Sequence, residues 1–327
     1  MPDNQEIKAG FSESELLDGF FSGDRRSLSK ILTKVENGSR EERKSIIKKL
    51  WNRTETRSNV IGITGAPGVG KSTLVNELIS FLEKENKVGV IAVDPSSPKS
   101  GGALLGDRIR MSSSDNVFVR SMATRGAMGG LAKSTSDAIR VMQAYGFDYV
   151  LVETVGAGQS EVDVMKFADT VLLVTMPELG DDIQALKAGL LEIGDIFVVN
   201  KSDKEGADKK VFELESMIQG NPHNKQNKNQ EWVPPILKTV ATRSEGIKDL
   251  IEAIKDHREH LVNKDELREK KYKRIREELL ESLNEIIQKN LDKRPQDLDI
   301  IIKKVVDHEL DPYTGSEKVL ELLKEEL

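Results

Sequence analysis

The sequence contains no cysteine. Disulfides, zinc thiolate centres, iron–sulfur clusters and thiol nucleophiles are therefore excluded on this chain. Histidine is nearly as scarce, with His223, His257, His260 and His308 making up the full set of 4. Only His257 and His260 are spaced to share a helical face. No acidic or third ligand accompanies them at ordinary metal-site spacing, so both are expected on the surface. No window approaches the roughly 18 unbroken apolar residues of a membrane span, and the opening MPDNQEIKAG lacks an apolar signal core. A cytoplasmic protein without a membrane partner is expected. An excess of positive charge is missing too: 49 Lys+Arg against 55 Asp+Glu leave −6, which argues against a nucleic-acid partner. Aromatic residues are only 5% while charged residues reach 32%, a balance that suits an α/β protein with much solvated helix surface.

What the sequence does contain changes character along its length. Residues 1–55 are polar, with Leu16, Leu17, Phe20, Leu28, Ile31, Leu32 and Val35 at helical spacings, and read as an N-terminal helical extension. Residues 56–255 carry short β-branched runs (VIGITG, VGVIAVD, DYVLVE, TVLLVTM, DIFVVNKSD and ILKTVA) separated by stretches of helical period. Such alternation predicts an α/β fold with a mainly parallel sheet flanked by helices. Residues 256–327 return to helix: Tyr272, Ile275, Leu279, Leu283, Ile286 and Ile287 recur in steps of three and four on one long amphipathic helix. So long an apolar stripe must bury itself, either on its own domain or in a dimer arm.

Within this frame, Gly65, Ala66, Pro67, Gly68, Val69, Gly70, Lys71 and Ser72 spell G-x-x-x-x-G-K-S between an expected strand and an expected helix. The glycines let backbone N–H groups converge on phosphate, and the helix N-terminus, which continues into Thr73, adds positive potential. Lys71 is assigned to the β- and γ-phosphates and Ser72 to Mg²⁺. At the end of a later strand, Asn200, Lys201, Ser202 and Asp203 form N-K-x-D. An Asp carboxylate there accepts from the N1–H and N2–H₂ edge of guanine, which adenine does not offer, and such a site rejects the wrong base by roughly 10⁴-fold. Asn200 is expected to brace the loop and Lys201 to lay its stem along the base. The stretch from Thr239 through Ala241 and Thr242 is expected to close over it. GTP or GDP with Mg²⁺ is thus the expected ligand.

Asp94 and Glu153 end two of the strand runs and so point toward the phosphate and metal region. In place of the usual D-x-x-G stands Glu153-Thr-Val-Gly156. Two loops read as switches. One follows Pro95 and ends in Asp107, Arg108 and Arg110, with Asp107 a candidate for the metal shell and Arg108 for neutralising the transferring phosphoryl group. The other carries Gln159, a candidate for orienting the attacking water.

In their order, VDPSSP, GDRIRM, ETVGAGQSE, LGDDIQALKAG and NKSD resemble the MeaB/ArgK/MMAA family of P-loop GTPases of the SIMIBI class, and the similarity runs from roughly residue 10 to the end. The resemblance implies a homodimeric G-protein chaperone that gates adenosylcobalamin loading and protects methylmalonyl-CoA mutase or a related acyl-CoA mutase. It further implies that hydrolysis is slow alone and faster in the complex. It places Lys71 and Ser72 on the phosphate loop, Asp94, Asp107 and Glu153 around the metal, and Asn200, Lys201 and Asp203 on the base. A third switch falls on Gly180 to Lys187, with Asp182 and Lys187 as relays to the mutase. Residues 256–327 become the dimerisation arm. The chain lacks a D-x-H-x-x-G corrinoid-ligating motif, so the corrinoid belongs on the partner. Rival readings are a nickel-insertion GTPase, disfavoured by the missing cysteines, a P-loop kinase linked to amino-acid transport, and a nucleotide-dependent scaffold with negligible turnover.

Overall fold

Every residue of the run Asn59–Thr64 is buried, as is every residue of Thr170–Thr175 and Ile196–Val199. Strands with both faces covered need continuous apolar sequence, and this is what a parallel sheet between helix layers requires. The structure, a computed structural model, describes residues 12–54, 58–94, 114–123, 128–154, 165–177, 193–220 and 232–324. The strands are β1 (Asn59–Thr64), β2 (Val88–Asp94), β3 (Val117–Ala123), β4 (Tyr149–Thr154), β5 (Thr170–Thr175), β6 (Ile196–Val199) and β7 (Ile236–Lys238). They form one 7-stranded sheet in the order β3-β2-β4-β1-β5-β6-β7, and all pairings are parallel. The sequence expectation missed β3. Its run VFVRSMA carries Arg120 and Ser121, which break the apolar pattern because β3 is an edge strand.

Alternation along the strands divides the core. Val60, Val150, Val152 and Val171 face one layer, while Ile61, Ile63, Leu151 and Leu172 face the other. The second layer is filled by α4 (Lys71–Leu82) and later by a helix over Ile247–Asn263. The first is covered by α5 (Met128–Tyr145) and by α1 (Glu13–Phe21), α2 (Arg25–Asn37) and α3 (Arg40–Leu50). These three short helices start cleanly. Ser12 with Glu15 and Ser39 with Glu42 close capping boxes, and Asp24 caps α2. Leu28, Ile31, Leu32 and Val35 on α2 are all buried in the same cluster as Val141 and Met142 of α5. The Phe20 ring meets the Tyr145 ring edge-on at 5.2 Å, and the Arg25 guanidinium donates to the carbonyl of Val117 on β3. The N-terminal helices therefore belong to the sheet's own core.

The remaining helices are α6 (Ala207–Gly220), α7 (Ile247–Asn263), α8 (Glu266–Leu291), α9 (Pro295–Val306) and α10 (Pro312–Lys324). The chain divides into two compact units, Met1–Lys264 and Asp265–Leu327. An expected boundary at residue 255 falls inside α7, whose Ile254, His257 and Leu261 are buried and carry the helix with the sheet unit to its end. In the second unit α8 has no buried residue, and Tyr272, Leu279, Leu283 and Ile286 are exposed along it. An apolar groove of about 430 Å³ lies between α9 and α10, lined by Ile301, Val305, Val319 and Leu323 among others. No helix among the described residues is long and apolar enough to cross a membrane.

One expectation about histidine is corrected. His257 is only 1% exposed: its Nδ1 lies 2.9 Å from the Thr170 hydroxyl and its Nε2 lies 3.4 Å from the Asp195 carboxylate. His260 is half-buried beside the Trp232 ring at 5.5 Å. His257 thus sits on the face of α7 that packs against the start of β5 and the approach to β6, where its ring meets the buried Thr170 hydroxyl and the Asp195 carboxylate. Among the described residues no group of three or more His, Asp or Glu is arranged to hold a metal.

Candidate nucleotide-binding site

The connections from β1 and β5 leave toward opposite edges of the sheet, since β1 leads to β2 while β5 leads to β6. Ligands of such sheets lie outside the carboxyl ends of the strands at this divergence. The loop leaving β1 is Gly65 to Gly70. Gly65 has φ +142°, and a Cβ on it would sit 2.0 Å from the Val174 carbonyl oxygen on β5. Gly70, at φ +97°, is the N-cap of α4 and supplies no side-chain acceptor to the first turn. The first-turn N–H groups are thus left pointing into the loop, the arrangement that receives an anion. Lys71 is 7% exposed, and its ammonium curls back to donate to the Gly65 carbonyl at 2.5 Å and the Ala66 carbonyl at 2.9 Å. The positive charge is therefore held inside the cradle that the glycines open. Val69 is fully buried and anchors the loop, while Pro67 and Gly68 are exposed at its rim and Thr73 is half-buried on α4. Alanine at Gly65 is expected to cost about 1–3 kcal/mol for the backbone conformation alone. Its methyl would also push on β5. A melting temperature lowered by several degrees, with the GDP-induced rise lost, is the expected thermal-melt result for Gly65→Ala.

The Ser72 hydroxyl donates to a Glu153 carboxylate oxygen at 2.5 Å. Glu153 is 2% exposed near the end of β4 and Asp94 is the last residue of neighbouring β2, so both acidic residues stand at the carboxyl-terminal end of the sheet. Among the described residues, the buried hydroxyls of Thr154 and Thr175 at the ends of β4 and β5 have no hydrogen-bond partner. A hydroxyl beside a carboxylate at the mouth of a phosphate loop is the donor set that Mg²⁺ uses, since that ion takes few protein oxygens and shares the rest with phosphate and water. The residues present fit the ion. Asp107, Arg108, Gln159 and the Gly180–Lys187 stretch lie outside the described residues.

The loop after β6 is tied directly to the phosphate loop. Asn200 donates from Nδ2 to the Val69 carbonyl at 2.9 Å, and its Oδ1 accepts from the Thr239 hydroxyl and the Ala241 amide, each at 3.1 Å. One buried amide thus joins three loops, and Gly70 must be glycine because a Cβ would come within 2.4 Å of that same Nδ2. Lys201, at φ +57°, extends its ammonium to the Gly68 carbonyl at 2.8 Å, laying its stem across the space between the loops. Asp203 keeps its side chain about one-third exposed at the pocket rim. Ala241, Thr242 and Arg243 form a turn of 3₁₀-helix facing it, with Ala241 buried and Thr242 exposed. Ser244 fastens this turn to α4 by donating to a Glu77 carboxylate oxygen at 2.5 Å. The structure thus gathers Gly65–Thr73, Glu153, Asn200, Lys201, Asp203 and Ala241–Thr242 at one end of the sheet. Sequence reasoning placed Thr239 beside the base but missed Glu77 and Arg243, which no motif spacing marks and which only the turn after β7 brings to the site.

Comparison with known proteins bears on what this arrangement does. The family model for the methylmalonyl Co-A mutase-associated GTPase MeaB matches residues 28–296. A Pyrococcus abyssi protein named as a GTPase is 49% identical over 312 residues, covering 94% of this chain and 95% of that protein. The fused isobutyryl-CoA mutase of Cupriavidus metallidurans is 36% identical over 234 residues, 69% of this chain but 21% of that much longer polypeptide. Among solved structures, one titled LAO/AO transport system kinase superposes with a TM-score of 0.70 at 26% identity, covering 97% of this chain and all of that one.

Proposed function

Because the chain belongs to the MeaB family of methylmalonyl-CoA mutase-associated GTPases, we propose that it uses GTP to gate adenosylcobalamin loading on an acyl-CoA mutase and to protect that enzyme. The observation that carries the mutase assignment is the Cupriavidus protein, in which a homologous segment occupies about a fifth of a chain named as a fused mutase. A domain fused to an enzyme in one protein is a natural separate partner of that enzyme in another. Methylmalonyl-CoA mutase, from the family's description, and isobutyryl-CoA mutase, from the fused relative, are the two partners to test.

GTP hydrolysis itself follows from the site. The loop amides and the Lys71 ammonium hold the β- and γ-phosphates, so charge that builds on them in the loose transition state meets fixed donors. Water attacks the γ-phosphorus in line, the bond to the β,γ-bridging oxygen breaks, and GDP and inorganic phosphate result. Mg²⁺, when bound, neutralises β- and γ-oxygens, and Ser72, Glu153, Asp94 and Asp107 are the residues proposed to hold it directly or through water. Arg108 and Gln159 are proposed to complete the hydrolytic set. The Asp203 carboxylate reads guanine, and Asn200 keeps that reader in register with the phosphate cradle. For the helical unit, the uncovered stripe of α8 and the apolar groove between α9 and α10 support the C-terminal segment proposed as a dimer arm, beginning at Asp265 rather than at residue 256.

The decisive measurement pairs the protein with each acyl-CoA mutase of its own organism. Multiple-turnover GTP hydrolysis should rise at least about tenfold in the presence of one mutase, a modest stimulation beside the roughly 10³–10⁵-fold that a partner's arginine finger supplies. Capture of that mutase should also differ between a non-hydrolysable GTP analogue and GDP. Unchanged turnover with every such mutase sinks the proposal. Transfer of γ-phosphate to protein in place of water would favour the kinase reading.

A further inference from the structure

The carboxylate assigned to guanine already has a cation beside it. Arg243 Nη2 lies 3.5 Å from Asp203 Oδ2, and its Nη1 lies 4.0 Å from Glu245. Neither contact is needed to build the turn that carries Arg243. Backbone bonds from the Arg243 amide to the Val240 carbonyl at 2.9 Å and from the Val240 amide to the Glu245 carbonyl at 3.1 Å do that. The Ser244 bond to Glu77 and the Ala241 bond to Asn200 pin it on either side. The guanidinium is thus an exposed head on a fixed base, 60% accessible, beside an acid 35% accessible.

The chemistry of the two possible partners of Asp203 is the same. The N1–C2–N2 portion of guanine is itself a guanidine, and it offers a carboxylate the planar pair of N–H donors that an arginine offers. We propose that Arg243 is a placeholder for the guanine edge, holding Asp203 while the base site is empty and competing with the base for it. This rests on the reading of Asp203 as the guanine acceptor. The competition makes Arg243 a determinant of exchange: it weakens guanine-nucleotide binding and speeds GDP release by re-engaging the carboxylate as the base leaves. It also keeps the acid paired and oriented in the empty site, where an isolated carboxylate at the rim of a buried loop would be free to turn toward other donors. An exposed ion pair contributes little, so the expected effect is a modest one of about two- to fivefold.

The test uses the full chain and its Arg243→Gln and Arg243→Lys variants. Affinity for GDP is measured by calorimetry and release by stopped-flow fluorescence of a labelled GDP, at about 20 mM and about 500 mM salt, where screening differs strongly. At low salt Arg243→Gln should bind GDP two- to fivefold more tightly and release it correspondingly more slowly. The gap should close at high salt, and Arg243→Lys, which keeps the charge without the planar fork, should fall between. GDP binding by Arg243→Gln that is unchanged or weaker at low salt overturns the proposal, because then the guanidinium assists the nucleotide or ignores it. Parallel titrations of the wild-type protein with ADP and with inosine diphosphate, which lacks the N2 amine, separate the two failures. If ADP binds as well as GDP, the assignment of Asp203 fails and the placeholder with it. If ADP is rejected and inosine diphosphate binds more weakly than GDP, the base reading stands and the variant series alone decides the role of Arg243.

Discussion

Lys71→Ala should lower single-turnover GTP hydrolysis by about 10²–10³-fold at saturating nucleotide, the loss typical of removing one preorganised donor from developing negative charge. The reason lies in how the side chain is held. Its ammonium is buried and bonded to the Gly65 and Ala66 carbonyls, so no solvent reorganisation is required before it meets the phosphates. Arginine should not rescue, because its planar fork does not reproduce the compact ammonium that donates to the Gly65 and Ala66 carbonyls. Loss of the lysine also frees two loop carbonyls, so circular dichroism and a thermal melt must accompany the rate. A folded variant that hydrolyses GTP within about tenfold of the parent would remove Lys71 from the mechanism, since a group worth less than about 1.4 kcal/mol is no principal stabiliser of the transition state.

Asp203→Asn should invert base selection. One carboxylate oxygen facing guanine N2–H₂ becomes an N–H₂ group facing N–H₂, so GDP affinity should fall about a hundredfold or more: two charge-assisted bonds are lost and a donor is left against a donor. Xanthosine diphosphate, which carries a 2-oxo group in place of the amine, should gain over GDP on the same variant. The exposed position of Asp203 means that the substitution leaves the core untouched, and the melting temperature without nucleotide should stay within a degree or two of the parent. Retained preference for GDP over xanthosine diphosphate would mean that the base is read elsewhere, with Ala241 and Thr242 the nearest alternatives.

Membership of the MeaB family and the parallel α/β fold were both legible in the chain itself. The phosphate loop is readable because its function demands backbone conformations that only glycine supplies. Gly65 and Gly70 are required by a Val174 carbonyl and an Asn200 amide that approach too closely for any Cβ. Strands buried on both faces are readable because they need unbroken β-branched runs, and β3 was missed because an edge strand does not. His257 was misplaced for a related reason: a histidine among charged helix residues looks solvated until Thr170 of β5 and Asp195, just before β6, are brought to it from 87 and 62 residues away in sequence.

The sequence alone singled out the groups proposed to meet the nucleotide, since phosphate and guanine each impose a local spacing that chance rarely produces. Only the tertiary structure decided how those groups act on one another. Asn200 locks the base loop to the phosphate loop across 131 positions of chain, and the Arg243 guanidinium is carried to Asp203 by a turn fastened to α4. Such couplings have no sequence period, because they arise where loops from separate strands converge at one end of the sheet, and convergence is a property of the packed chain.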